Sequence, residues 1–166
     1  MSGSSEPNLD AAPSSEADRV AEVIPVRGRL LGLDFGTKRV GIAVSDDEQR
    51  IASPLEIYTR SRPELDAVHL QHVAREYRVV GLVVGLPIHM GGEEGQKARE
   101  ARRFGAWAAS ATTLPLAFWD ERLTSATAEE YLIGAQLSRK KRKTRIDKVA
   151  AQIMLQSYLE SRRSRL

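Results

Sequence analysis

An uninterrupted apolar run, Val79–Leu86, gives the strongest fold signal in the chain. It reads Val-Val-Gly-Leu-Val-Val-Gly-Leu and is followed at once by Pro87. A strand that alternates apolar and polar residues faces water on one side, whereas a continuous apolar run is typical of a strand covered on both faces. The run therefore predicts a central strand with other elements packed on each side of it.

A second apolar stretch carries a carboxylate to the end of a strand. Residues 29–35 include Leu30, Leu31 and Leu33 and lead to Asp34, and Gly36 in the following turn permits a sharp bend or a close approach to a ligand. Residues 39–45 then predict a strand that returns from this turn. Burying an aspartate in an apolar strand is costly unless the group is paired, hydrogen-bonded or bound to a metal. One alternative is that Asp34 only accepts hydrogen bonds from the turn amides.

The remaining pattern predicts an α/β fold built on a mixed five-stranded sheet. Strands one to three form an antiparallel meander, strands four and five run parallel to the first, and helices lie on the faces of the sheet. The third strand ends at Leu55–Tyr58 and the fifth covers Leu116–Trp119. The predicted helices span 61–77, with Ser61 as the cap, about 93–110, from Thr124 or Ser125 to about Ile133, and from about Ile146 to Glu160.

Composition limits the classes of protein that the chain can belong to. Its 166 residues are enough for one domain with a real core, which we place at 26–166. There are no cysteines, which excludes disulfides, thiolate zinc sites and cysteine nucleophiles. No apolar run approaches the roughly 20 residues of a membrane span. A cytoplasmic protein is expected.

Charge is distributed unevenly along the chain. Residues 1–22 hold five acids and one arginine, and we predict that 1–25 form a disordered acidic tail outside the fold. The net charge of +3 therefore leaves +7 on the rest of the chain, with six basic residues between Arg139 and Arg145. We interpret this basic run as a mobile loop between two helices. It favours a polyanionic partner, although a solvated loop without a partner is the alternative.

Three acidic residues fall where they could meet at one edge of the sheet. Asp34 lies near the end of the first strand, Glu121 follows the fifth, and Asp147 opens the predicted last helix. Ligands of open α/β sheets collect at the carboxyl ends of the strands. If the fourth strand lies between the first and the fifth, these two are about 10 Å apart at roughly 4.8 Å per strand, so the longer glutamate arm suits a shared centre.

Such a cluster of carboxylates would suit hard divalent cations. Mg²⁺ prefers carboxylate and water oxygens, and paired ions of this kind support phosphodiester cleavage. Two simpler interpretations remain at this point. Asp120-Glu121-Arg122 could form only an ion pair at a strand end, and Thr144–Asp147 could be only a capping box.

Four motifs in order resemble the YqgF/RuvX family, the Holliday-junction-resolvase-like branch of the ribonuclease H-like fold. The resemblance runs from Arg29 to about Leu159 and rests on the segments 33–41 (LDFGTKRVG), 84–87 (VGLP), 120–124 (DERLT) and 146–151 (IDKVAA). It implies a ribonuclease H-like sheet, with Asp34, Glu121 and Asp147 as catalytic residues and ligands of Mg²⁺ or Mn²⁺. It also implies a cytoplasmic nuclease in 5′-end maturation of precursor 16S rRNA, with junction resolution as the older proposal.

The sequence departs from the pattern of these nucleases in two places. Relatives in the wider fold usually take a carboxylate from the fourth strand, which here ends in Leu86-Pro87-Ile88-His89 without one, so that Glu121 must substitute. Family members often carry an acid before the glycine of the next loop, whereas this chain reads Met90-Gly91-Gly92. The loop is therefore expected to hold its substrate differently.

A nucleic-acid partner, structured RNA or branched DNA, is expected to contact the basic residues near the carboxylates. The candidates are Lys38, Arg39, Arg122, Arg139, Lys140, Lys141, Arg142, Lys143 and Arg145. A nucleic-acid-binding module without catalysis is the main rival interpretation. An actin-like kinase, suggested by the Asp34-x-Gly36 turn, would need two such domains and is disfavoured by length. The sequence does not decide whether the substrate is RNA or DNA, or whether the protein is a monomer or a homodimer.

Overall fold

The computed structural model describes residues 23–124 and 138–165. Its five strands are β1 (Arg29–Phe35), β2 (Arg39–Ser45), β3 (Ala52–Thr59), β4 (Val79–Leu86) and β5 (Leu116–Asp120), and its helices are α1 (Pro63–Glu76), α2 (Gln96–Thr112) and α3 (Arg139–Arg163). The acidic tail over 1–22 and most of the helix predicted after Thr124 lie outside the described residues. No helix of the described part is long and apolar enough to cross a membrane.

The sheet has the predicted mixed topology. Its strand order is β3-β2-β1-β4-β5, with β1 antiparallel to β2, β2 antiparallel to β3, and β4 parallel to both β1 and β5. The fourth strand thus lies between the first and the fifth, and β1, β4 and β5 end at the same edge. The sequence pattern predicts turns at the ends of these strands. β1, β2 and β4 begin and end at the predicted residues.

Helices cover both faces of the sheet, and alternation along each strand divides the core in two. On one face, Leu31 and Leu33 of β1 and Leu82 and Val84 of β4 pack with α1 and α2. On the other face, Leu30 and Val83 pack with α3, whose contribution is Ala151, Met154, Leu155 and Leu159. The central strand β4 is buried along almost its whole length, which confirms the inference from its apolar run.

Helix starts differ from the predicted caps. The residue that precedes α1 is Arg62, and its side chain makes no capping hydrogen bond. Ser61 donates its backbone N–H to Asp66 Oδ1 at 3.0 Å instead of capping the helix with its hydroxyl. Helix α2 begins at Gln96, three residues later than predicted, since the backbone of the preceding Gly95 is extended, with φ −87° and ψ −167°.

The last helix overturns the prediction of a basic loop. Helix α3 begins at Arg139, and the Ser138 side chain accepts a hydrogen bond from the backbone N–H of Lys141. The basic run therefore forms the first turns of α3, and Asp147 lies inside the helix instead of opening it. Lysine and arginine are good helix formers, and an N-cap serine was sufficient to start the helix ahead of the run.

The boundary of the N-terminal tail also moves. Residue 25 was the predicted end of the tail, but Ile24 is only 6% exposed and packs in the core beneath α3. Arg162 of α3 donates hydrogen bonds to the Ile24 and Pro25 carbonyls at 2.6 and 3.1 Å. The folded part therefore includes Ile24, because α3 reaches back to hold this segment.

Candidate active site at the carboxyl ends of the central strands

Asp34 and Glu121 meet on the α3 face of the sheet. Asp34 is the penultimate residue of β1 and lies opposite Gly41 of β2, where an added Cβ would lie 3.5 Å from the Asp34 Cβ. Glu121 follows β5 and crosses over β4, where its carboxylate occupies the space that a side chain at Gly85 would need. The β4 strand thus contributes an open space to this site, and the carboxylate comes from the neighbouring β5.

The two carboxyl groups share a poorly solvated environment. Burial, together with repulsion from Asp34 and Asp120 and the hydrogen bond that Glu121 donates to Asp34, raises the pKa of Glu121 to about 7. Burial also raises the pKa of Asp34, as does repulsion from Asp147, while a hydrogen bond donated by protonated Glu121 opposes the rise. Two contacting carboxylates with so little compensation are costly to ionise together.

This electrostatic cost predicts a pH dependence of folding in the metal-free protein. Unfolded Glu121 ionises near 4.5, but the folded group keeps its proton until about pH 7. The folded state therefore binds more protons between these values, and the free energy of unfolding should fall as pH rises through this window, by about 1–3 kcal/mol. Urea unfolding in EDTA at pH 5 and pH 8 would measure this fall, which Glu121→Gln should reduce. If the free energy of unfolding fell equally with pH in the wild type and in Glu121→Gln, burial of Glu121 beside Asp34 would not be the cause of the fall.

Asp120 lies on the opposite side of the strand end and has a different role. Its Oδ1 accepts the Arg122 backbone N–H at 3.0 Å, and its carboxylate pairs with the Arg122 guanidinium, with Nη2 to Oδ2 at 2.5 Å. These hydrogen bonds hold the pKa of Asp120 below its usual value. The predicted ion pair thus exists, but it uses Asp120 and leaves Glu121 for the contact with Asp34.

Asp147 approaches Asp34 from α3, outside the cavity of about 220 Å³ that Asp34 lines together with Glu121. It is exposed, and together with Asp34, Lys38 and Arg39 it lines a cleft of about 590 Å³. Within 23–124 and 138–165, no three acidic, histidine or cysteine side chains lie close enough to hold one metal ion together. The structure therefore joins Asp34 and Glu121 directly and places Asp147 at the cleft wall.

Comparison with known proteins decides the family. The family model described as "RuvX: Holliday junction resolvase" matches residues 28–161. A Rhodopirellula baltica protein named "Putative pre-16S rRNA nuclease" is 44% identical over 85% of this chain and 82% of its own length. A Bradyrhizobium diazoefficiens protein of the same name is 47% identical over 82% of this chain and 84% of its own. The chain belongs to the RuvX family. It is accordingly a nuclease, a hydrolase that acts on phosphodiester bonds.

The fold agrees with this membership. Thermus thermophilus RuvC, solved in complex with a Holliday junction substrate, matches with a TM-score of 0.55 over 82% of this chain and 96% of its own. Its identity to this chain is only 16%, so the match concerns the fold alone. The ribonuclease H-like sheet implied by the sequence motifs is therefore confirmed.

The predicted basic residues divide into three groups in this RuvX-family chain. Lys38 and Arg39 line the cleft beside Asp34. Arg122 lies beside Glu121 in another cavity, with its guanidinium held by Asp120. The rest, Arg139, Lys140, Lys141, Arg142, Lys143 and Arg145, lie in the first turns of α3, where Lys140 and Lys141 are exposed. Lys38 and Arg39 thus border Asp34, and Arg122 borders Glu121.

Sequence reasoning missed the glycines that make room for the carboxylates. Gly85 is the clearest case, since it is buried in β4 directly beneath the Glu121 side chain. A glycine inside a strand signals a close approach by another group, and that signal was present in the apolar run itself. The loop after β4 also contacts the site region, because the Met90 carbonyl lies 3.5 Å from Arg122 Nη1.

Proposed function

We propose that this RuvX-family nuclease is a Mg²⁺- or Mn²⁺-dependent endonuclease that acts in 5′-end maturation of precursor 16S rRNA. The observation that carries the proposal is the contact between Asp34 and Glu121, next to a cleft that Asp34 lines together with Lys38 and Arg39. Two relatives more than 40% identical carry the name of a pre-16S rRNA nuclease. Such a nuclease would work in the cytoplasm.

The donor set fits a hard divalent cation. Asp34 and Glu121 offer carboxylate oxygens in contact with each other, and Asp147 offers a third carboxylate on the cleft wall. Their mutual repulsion and burial would be relieved by bound positive charge. When bound, such ions activate water and stabilise the leaving oxygen of a phosphodiester. Asp34 and Glu121 would hold the ions directly and Asp147 would contribute a ligand from the cleft wall, and all three are assigned as catalytic in this proposal.

The remaining groups of the cleft would hold and orient the nucleic acid. Lys38 and Arg39 are exposed at the turn after β1, where they can pair with phosphates next to the scissile bond. The turn itself is braced from the side by Arg60, whose Nη1 donates to the Thr37 carbonyl at 2.9 Å. A phosphate held by this turn would therefore have a defined position relative to Asp34.

The basic start of α3 would widen this phosphate-binding surface. Cations at a helix N-terminus oppose the helix dipole, so their accumulation there is unfavourable for the free helix and suggests a polyanion as partner. Lys140 and Lys141 are exposed on the same helix that carries Asp147. Substrate bound by the first turns of α3 would be directed to the cleft by the helix itself.

Replacing Lys140 and Lys141 with alanine tests this surface. We expect weaker binding to all sequences and a smaller salt dependence, by about 0.9 in log–log slope per lost contact on duplex and about 0.7 on single strands. Folding should be unharmed or slightly improved, because alanine is the better helix former and the unfavourable charge is gone. Binding measured from low to high salt would check this. An unchanged slope would restrict phosphate binding to Lys38, Arg39 and Arg122.

The substrate is tested by comparing two defined nucleic acids. A precursor 16S rRNA fragment with its 5′ extension and a four-way DNA junction would be incubated with the protein and Mg²⁺ or Mn²⁺. Cleavage at the 5′ end of the RNA, with the junction left intact, is the expected result. Cleavage of the junction alone would support the second candidate, a Holliday-junction resolvase, which the family description favours. If the protein binds these nucleic acids without metal and cleaves neither of them, the result would support a nucleic-acid-binding module without catalysis.

A further inference from the structure

A second cavity adjoins the active-site cleft across β1. It has a volume of about 310 Å³, and its walls include Phe35, Arg60, Asp66, Arg103, Phe104 and Trp107. Phe35 also lines the cleft that contains Asp34, so the two cavities meet at the end of β1. Neighbouring strand residues point to opposite faces of a sheet, so Asp34 lines the cleft without reaching the second cavity, whereas Phe35 borders both.

Three rings form the wall of this cavity, which we call the aromatic pocket. Phe35 stacks on Phe104 with ring centroids 4.8 Å apart and an interplanar angle of 28°. Trp107 follows on α2, with its ring centroid 5.7 Å from that of Phe104. Phe35 and Trp107 are only half-buried, and both line the cavity. Flat apolar surfaces of this kind are stacking platforms for nucleobases.

The charges of the pocket balance. Arg60 and Arg103 are matched by Asp66 and Glu100. Asp66 Oδ1 already accepts from the Tyr58 hydroxyl at 2.8 Å, and Glu100 accepts from Gln96 at 3.0 Å. An uncharged flat ligand suits such a pocket, whereas its phosphates would find cations in the adjoining cleft.

Arg60 connects the two cavities. Its guanidinium lies 4.9 Å from the centroid of the Phe35 ring, and it also donates to the Thr37 carbonyl in the turn beside Asp34. A ligand that stacks near Phe35 therefore contacts the same arginine that braces the catalytic turn. Occupation of the aromatic pocket and positioning of the scissile phosphate are coupled through this side chain.

We infer that the aromatic pocket binds one unpaired nucleobase of the substrate strand, within a few nucleotides of the phosphate at Asp34. The inference rests on the proposed nuclease function and specifies its substrate: the strand must be single or splayed near the cut. A volume of 310 Å³ is at the lower end for ligand pockets and suits a base-sized group. A base stacked in a duplex could not enter it.

Tryptophan fluorescence offers a direct test. The chain has two tryptophans, and Trp119 is 9% exposed with its indole N–H bonded to Thr124 Oγ1 at 2.9 Å. A 12-nucleotide single strand of RNA, or of DNA in a second arm, added in EDTA should therefore quench Trp107 selectively. Trp107→Phe should lose the quenching and keep the affinity, whereas Trp107→Ala should weaken binding about 5- to 150-fold, as expected for one stacked base.

The control and a positional readout separate stacking from general damage. Tyr77→Ala removes another half-buried ring of the same core outside the pocket, and it should keep both quenching and affinity. In a series of strands that each carry one abasic site, the affinity for the wild-type protein should fall only when that site is at one or two particular positions. In Trp107→Ala these positions should have no special effect. Thermal unfolding of each variant verifies its fold.

The outcomes distinguish this inference from the proposed function. Quenching that persists in Trp107→Phe, or an abasic profile that is flat in the wild type, would overturn the pocket even if the protein cleaves RNA. The expected profile in a protein that cleaves neither substrate would support the pocket and overturn the proposed role in 16S rRNA maturation. Absence of binding to either strand would overturn the pocket, and the cleavage assays with metal would decide the proposed function separately.

Discussion

Asp34→Asn is expected to lower cleavage by about 10³-fold or more while the protein stays folded. Losing a group that only supports a metal ligand costs about 10–100-fold, and removing a charged group of the proposed ligand pair should cost more. Stability without metal should be equal or higher, because the buried carboxylate repels Glu121 and Asp147. Initial cleavage rates at pH 8 in Mg²⁺ and thermal unfolding in EDTA would measure both effects.

Asp120→Asn provides the matched control for this variant. It removes a neighbouring acid of the same strand edge, which caps the turn at Glu121–Leu123 and pairs with Arg122. We expect a stability loss of about 1 kcal/mol and cleavage within several-fold of the wild type. Glu121→Gln should instead resemble Asp34→Asn. If Asp34→Asn cleaves within a few-fold of the wild type, or if Asp120→Asn is the inactive variant, the proposed pair is wrong.

The sheet could be predicted from the sequence because its strands carry strong local signals. Val79–Leu86 is apolar throughout, and the apolar residues of 29–35 and 39–45 are separated only by the turn at Gly36, so β1, β2 and β4 follow from pattern alone. The strand order then puts Asp34 and the end of β5 at one edge. This much of the candidate site was therefore accessible before any coordinates.

Other parts depend on contacts between distant residues. The basic run has no apolar periodicity of its own, so its helical state rests on the Ser138 cap and on the packed helix that follows. Ile24 joins the core through contacts with distant residues, among them Arg162 and the apolar face of α3. Whether Asp120 or Glu121 contacts Asp34 depends on which face of the sheet each side chain lies on. A shift of one residue along the strand would exchange the two faces.

The absence of a carboxylate in β4 has a structural explanation at Gly85. The Glu121 side chain lies over β4 exactly where a Cβ at residue 85 would stand, with Glu121 Cδ and Cγ only 3.1 and 3.2 Å from that position. A strand that carried its own acid there would leave no room for Glu121. Gly85 and Glu121 therefore depend on each other: the glycine leaves space over β4, and the residue after β5 fills that space with a carboxylate.

Gly85→Ala should therefore inactivate the enzyme by displacing Glu121. Its methyl group would collide with the Glu121 carboxylate and move it away from Asp34. A displacement of about 1 Å in a catalytic group can cost about 10²-fold in rate, and the extra volume should cost about 1–3 kcal/mol of stability. Cleavage rates and urea unfolding would be measured on the same preparation.

Gly81→Ala is the control that separates the two effects. It adds the same methyl group to the same face of β4, 3.1 Å from Ile24 Cδ1 and from Leu30 Cδ2, in the core away from the carboxylates. We expect a similar loss of stability with cleavage preserved. A readout without catalysis completes the test: in EDTA, Gly85→Ala should lose much of the fall in stability between pH 5 and pH 8, because Glu121 no longer shares its burial with Asp34. If Gly85→Ala cleaves as well as Gly81→Ala and keeps that pH dependence, Glu121 does not depend on the space at Gly85, and the pairing with Asp34 must be maintained by other contacts.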